Sequence, residues 1–308
     1  MKIKADFFLD PIFFPTLIMF AILGVVLVAF KVHHWIDAKK RKRSPFTGKF
    51  LRSPGQSLLV QLDDVQDSLT TALVGLVVAP MAIYAGIAPS LFTGRITTTA
   101  IVGVAALFVG FCSFFLWRVF QKLKERRLLR LGYEGELATG EELNQLMQDG
   151  YRVFHDFPAD KFNIDHILIG PPGVFAVETK ARSKPISNNA QADVLVTFDG
   201  TALNYPNYRD TASVEQARRQ ATWLGEWLAK ATGEKVTVYP ILAIPGWYVE
   251  RIVQKTGILA ANPKQVRGAL QKVSQNLDHK MIQRISHQVE QKCRDVVPRA
   301  YREGEKKD

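Results

Sequence analysis

Two acids and a lysine flank a turn in this chain. Gly170-Pro171-Pro172-Gly173 can only be a turn. The runs beside it, residues 163–169 and 174–181, read as strands. Whether the loop has two or four residues, symmetric pairing sets Ile169 opposite Val174, and counting back sets Asp165 opposite Glu178. Opposed residues of an antiparallel pair point to one face, and Lys180, two residues beyond Glu178, shares that face. Ile167, Ile169, Val174 and Ala176 surround this group, and Ile164, Leu168, Phe175 and Val177 make the opposite face equally apolar. Strands apolar on both faces are central ones. Burying two carboxylates and an ammonium there is costly unless something compensates. One solution is a divalent cation between the acids. Mg²⁺, or Mn²⁺ with similar oxygen preference, takes one or two carboxylates, waters and a substrate phosphate. The other is a structural salt bridge from Lys180. The Glu-x-Lys spacing carries little by itself, because it recurs at Glu290 and Glu305; the apolar strand and the opposed Asp165 set Glu178 apart.

The elements around this pair read as an α/β domain. A helix is predicted over 133–149, with Glu136, Gly140, Leu143 and Met147 on one stripe and Gly150 suited to its end. A strand over 151–156 precedes the pair. Residues 193–198 and 201–205 read as a hairpin closed by Asp199-Gly200. A long helix over 211–231 carries an apolar stripe from Val214 to Ala231 and stops at Gly233. The strand over 236–244 contains Pro240, which predicts a place near a sheet edge. Pro263 opens a short helix to Val273, and residues 277–297 read as an amphipathic helix before a charged tail. The order helix, three strands, helix, strand predicts a mixed β-sheet flanked by helices. His166 should face away from Asp165 as a structural histidine, and Trp223 and Trp227, one turn apart, suit core packing or contact with a membrane surface rather than base stacking.

Upstream of this domain the chain is apolar. Runs at 11–30, 69–92 and 96–117 have the length of membrane-spanning helices, the last two forming a hairpin around residues 93–95. No ionisable residue lies within them, which argues against a transport pathway. Basic residues cluster at 31–52 and 118–130, so the N-terminus is expected outside and the α/β domain in the cytoplasm, at a bacterial inner membrane. The expected division is an anchor over 1–120 with a basic loop at 31–68, a linker over 121–131, the α/β domain over 132–275, and a terminal helix and tail over 276–308. The net charge of +11 favours polyanions, either nucleic acid or anionic lipid. Two cysteines, Cys112 and Cys293, supply neither a disulfide framework nor a cysteine metal site.

Gly132-Tyr133-Glu134-Gly135-Glu136, then Asn163-Ile164-Asp165-His166-Ile167, then Gly173-Val174-Phe175-Ala176-Val177-Glu178-Thr179-Lys180, and a glutamine in a later helix, together resemble the nuclease-related domain (NERD) family of the PD-(D/E)xK nuclease superfamily. The resemblance covers roughly residues 130–250. It implies an αβββαβ core, with Asp165, Glu178 and the backbone carbonyl of Thr179 as ligands of Mg²⁺. Lys180 would orient or activate the attacking water. Glu136 matches the acid of the first helix, and the plainer reading is a favourable charge in a first turn; Glu134 is a weaker substitute. Gln216 matches the helix glutamine, and could equally be a polar residue beside an apolar stripe. The implied function is hydrolysis of phosphodiester bonds, in DNA more than in RNA. The alternative is an inactive nuclease fold that binds nucleic acid or a protein partner at the membrane. The segment 181–185 lacks the family's tryptophan–glycine pattern.

Overall fold

The computed structural model describes residues 24–25, 28–29, 31–32, 35, 45–92, 97–185, 195–253, 256–274 and 276–298. The expected first span at 11–30 lies, but for a few residues, outside them, as do the whole 93–95 turn and the start of the predicted hairpin. The chain forms two compact units. One comprises Met1–Thr47, Gln66–Leu123 and Pro298–Asp308; the other comprises Gly48–Val65 and Lys124–Val297.

In the first unit, parts of two long helices, α1 (Gln56–Phe92) and α2 (Thr98–Asn144), lie together. Both are long and apolar enough to cross a membrane, and their apolar windows are almost entirely unburied. Gly75 lets α2 approach: a Cβ there would run into the Phe115 ring, a close approach that small residues permit in apolar helix pairs. The helix expected to begin at Tyr133 is instead the last part of α2, which continues without a break from Thr98. Residues 118–143 hold no proline to stop it.

The second unit is built on a five-stranded sheet of order β1-β2-β3-β7-β9. Its strands are β1 (Arg152–Pro158), β2 (Asn163–Gly170), β3 (Gly173–Thr179), β7 (Val238–Ala243) and β9 (Leu259–Ala261). Pro171 and Pro172 alone form the β2–β3 turn, and Ile169 pairs with Val174 as the symmetric register requires. Both faces are covered. On one, Ile167, Ile169, Val174 and Ala176 pack against Leu224 and Leu228 of α3 (Ala212–Thr232) and Ile285 and Val289 of α5 (His279–Cys293). Trp223 and Trp227 lie edge-on to Phe157 there, 6.3 and 5.1 Å between ring centres. On the other face, Leu168, Phe175 and Val177 pack against Leu143, Leu146, and Val266 and Leu270 of α4 (Pro263–Leu270).

Two local expectations are corrected. β7 is interior, running parallel to β3 and β9. Pro240 is tolerated because β9 pairs only with Ile241, Leu242 and Ala243, leaving the proline beyond the end of that ladder. The hairpin of β4 (Leu195–Phe198) and β5 (Leu203–Asn204) closes with four residues rather than two, since Phe198 pairs with Leu203. The Asp199 carboxylate accepts hydrogen bonds from the Thr201 N–H (2.9 Å), the Thr201 hydroxyl (2.8 Å) and the Ala202 N–H (2.8 Å), a side-chain-closed turn that competes with the tight Asp-Gly one. With β6 (Arg209–Asp210) and β8 (Tyr248–Arg251), these strands form a second sheet of order β6-β5-β4-β8.

Candidate active site

Asp165 stands where two ladders open. Between β2 and β3 the last regular pair is His166 with Val177. Between β1 and β2 the pairing skips from His155–His166 to Phe157–Ile164. At the skipped position Asp156 adopts a left-handed backbone, φ 49°, a conformation that aspartate tolerates better than most residues. Freed from the ladder, the Asp165 carboxylate accepts the Thr179 N–H at 2.6 Å. Glu178, 3 % exposed, sits on the face of β3 that meets α3.

Glu178 is held by three donors. Lys180 Nζ lies 2.5 Å from its Oε1, Gln216 Nε2 donates to the same oxygen at 2.8 Å, and Gln220 Nε2 donates to Oε2 at 2.5 Å. Lys180 also donates to Gln216 Oε1 at 3.1 Å, which closes a ring of lysine, glutamine and glutamate. Gln216 and Gln220 are one turn apart on α3 and so share a face. Sequence reasoning missed Gln220; its signal was that four-residue spacing from Gln216, on a helix side otherwise lined by Ala217, Ala221 and Leu224. Gln220 further donates to the Asn163 carbonyl at 3.2 Å, which ties the start of β2 to Glu178.

Glu136 enters from α2. Its neighbour Gly135 has no room for a side chain: a Cβ would meet that of Ala181 at 2.5 Å. The glycine brings the helix against the chain just after Lys180. Glu136 is 9 % exposed, and its Oε2 has no hydrogen-bond partner. Burial, then the charges of Asp156 and Glu178, push its carboxyl up to about 8, partly opposed by the Gly55 backbone N–H and by Lys180. Asp165 is raised well above the usual carboxylate range by burial, then by Glu178 and Glu136, against the Thr179 N–H and Lys180. Glu134 does not join them; it pairs with Arg130 at the surface, 3.0 Å away.

Segment 48–65 supports this cluster. The Asp156 carboxylate, 1 % exposed, accepts the Ser57 N–H (2.9 Å), the Ser57 hydroxyl (2.6 Å), Arg52 Nη1 (2.8 Å) and Asn163 Nδ2 (3.3 Å). Arg52 also bridges to Asp295, Nε at 2.7 Å and Nη2 at 2.7 Å. No short-range pattern marks Arg52 or Asp156 in the sequence. His166 points away from the acids, fully buried, with Nδ1 2.9 Å from Nδ1 of His155, whose Nε2 lies 3.1 Å from Asn144 Oδ1. Burial pushes His155 down to about 4 and His166 well below its ordinary value, so both are neutral packing groups.

Among the described residues no three acids, histidines or cysteines converge into a ready-made metal cage. The donors present nonetheless fit a hard cation. All are oxygens, Asp165 and Glu136 face negative neighbours that Lys180 offsets only in part, and Glu136 Oε2 is an unpartnered buried acceptor. Mg²⁺ needs only one or two carboxylates when water and phosphate complete its shell.

No curated protein and no solved structure matches the chain. Residues 131–245, the segment that contributes Glu136, Asp165, Glu178, Thr179, Lys180 and both glutamines, match the family model described as NERD, nuclease-related domain.

Proposed function

We propose that this protein is a membrane-anchored, metal-dependent nuclease that hydrolyses phosphodiester bonds, DNA before RNA, with its nuclease-related domain on the cytoplasmic side. The observation that carries this reading is the convergence of Asp165, Glu178 and Lys180 at the opened end of the β2–β3 ladder, with Gln216 and Gln220 fixing the glutamate and the lysine. Support for the anchor comes from the apolar helices and from the basic residues that flank them.

A Mg²⁺ or Mn²⁺ ion held by Asp165, Glu178 and the Thr179 carbonyl would supply Lewis acidity toward phosphate and water. Lys180 contributes a fixed positive charge beside Glu178, placed to hold a water or to offset charge developing on a phosphate oxygen. Gln216, bonded to both, keeps the ammonium directed at that spot. Gln220 locks the second Glu178 oxygen. The Thr179 N–H fixes one Asp165 oxygen.

One observation favours the alternative of a binding module without catalysis: three donors already satisfy Glu178, so the site can stand without a cation. A cleavage assay on the full-length chain in detergent, with Mg²⁺ or Mn²⁺ titrated over linear DNA, separates the readings. The nuclease requires metal-dependent cutting that Asp165→Asn abolishes. Cutting unchanged by Asp165→Asn, or none with either metal, refutes it.

A further inference from the structure

Three aromatic residues lie against the strand exit that follows Lys180. Tyr208 stacks on Tyr205, ring centres 4.6 Å apart and planes 7° from parallel. Tyr205 meets Trp247 edge-on at 5.2 Å. Trp247 Nε1 donates to the Arg182 carbonyl at 3.1 Å, and Lys184 Nζ lies 5.5 Å from the centre of the Trp247 ring. Tyr205 and Trp247 are buried, at 6 % and 2 %, but Tyr208 is 43 % exposed. One of its faces rests on Tyr205, and no other described ring covers it. The turn holds it there, because the Tyr205 N–H donates to the Tyr208 carbonyl at 2.9 Å.

One cation stands at this ring. The Arg182 guanidinium bonds to Asp210 at 3.2 Å and lies close enough to the Tyr208 hydroxyl to oppose the upward push of burial on it. Its side chain is 40 % exposed. Arg209, next in the chain, is turned to the 199–204 turn instead, where it pairs with Asp199 at 3.0 Å. Arg182 is only two residues after Lys180, a span of at most about 7 Å of chain. The exposed ring therefore stands within two or three nucleotides of the acids. A flat ring backed by a second ring, with a guanidinium at its edge, fits an unpaired base and its phosphate. Inside a duplex both faces of every base are already stacked on neighbours, so such a ring selects unpaired strand.

We infer that Tyr208, backed by Tyr205 and with Arg182 at its edge, is a stacking platform for an unpaired base, and that the substrate is single-stranded nucleic acid or an unpaired end. The inference rests on the nuclease reading for its choice of nucleic acid. It assigns the substrate class that the catalytic residues leave open.

The test is equilibrium binding without cleavage. Full-length protein in detergent, in EDTA, is titrated with a labelled 20-nucleotide DNA strand, the same sequence as RNA, and the corresponding duplex. The single strands should bind more tightly than the duplex. Tyr208→Ala should weaken strand binding roughly 5- to 100-fold, the range for loss of one base–aromatic stack, and leave duplex binding unchanged; Tyr208→Phe should retain it. A strand carrying 2-aminopurine should lose fluorescence on binding the natural protein, a readout that needs no variant to fold. Equal affinity for strand and duplex, no quenching, or a Tyr208→Ala protein that binds strands as before overturns the platform. Comparison of DNA and RNA strands shows which sugar is accepted. Strand binding through Tyr208 without cleavage in Mg²⁺ or Mn²⁺ refutes the nuclease reading and leaves the platform standing. Duplex cutting indifferent to Tyr208 does the reverse.

Discussion

Replacing Glu136 with glutamine should make the folded protein more stable at neutral pH. In an unfolded chain this carboxyl titrates near 4.5; in the fold, burial and the Asp156 and Glu178 charges push it up to about 8. A group whose folded value lies above its unfolded value favours the fold fully at pH below 4.5, and loses that contribution as pH rises from 4.5 to 8. At pH 7 the unfolded chain gains the ionised form freely while the fold resists it. Over the interval from 4.5 to 7, at about 1.4 kcal/mol per pH unit, the penalty is about 3 kcal/mol. Glutamine keeps the shape and cannot ionise, so Glu136→Gln should recover about 3 kcal/mol at pH 7 and almost nothing at pH 4.5. The assay is guanidinium unfolding of the full chain in detergent at several pH values, followed by tryptophan fluorescence, since Trp223, Trp227 and Trp247 all pack inside the second unit. A gain independent of pH, or a loss at pH 7, would refute the argument. Under the proposed function the more stable variant should also cut more slowly, an exchange of stability for activity that charged sites commonly show.

Two further outcomes follow from the packing. Arg52→Ala leaves the Asp156 carboxylate, 1 % exposed, without its cation; breaking a buried pair of this kind costs about 3–5 kcal/mol, readable in the same unfolding assay, and an unchanged midpoint would show the pair to be idle. Gly135→Ala drives a methyl into Ala181, 2.5 Å away, and should cost about 1–3 kcal/mol through overpacking; under the proposed function it should also slow DNA cleavage by displacing Glu136, and full activity at full stability would contradict that placement.

The chain announces the β2–β3 pair because its signals are local. Pro171-Pro172 fixes the loop, the loop fixes the register, and the register brings Asp165 and Glu178 to one end of the sheet. The long α3 was equally legible, from its apolar stripe and from Gly233, whose φ of 76° ends it. What stayed hidden depends on segments far apart in the chain. Arg52 reaches Asp156 across 104 residues, and nothing near either residue records it. Pro240 pointed to an edge, but edge character depends on where β9 stops, 16 residues or more away in sequence. Gln220 was hidden by its type: a buried amide on an apolar helix face looks like surface until Glu178 and Asn163 are placed beside it. The second sheet escaped because β5, β6 and β8 are two to four residues long, too short to show a period.

The clamp formed by Arg52 also bears on how the protein is made. Its guanidinium joins Asp156 and Asp295, and Phe50 pairs with Val296, so the second unit is closed by its first and last segments. Arg52 and Asp295 are 243 residues apart. At ribosomal speeds of about 5–20 residues per second, Arg52 waits roughly 10–50 seconds for that partner to be synthesised. Helices α1 and α2 emerge in the interval, and under the proposed anchoring they enter the membrane before closure occurs. The carboxylates of the site thus gain their full support only once Asp295 has been translated, so a chain released before that residue lacks the clamp.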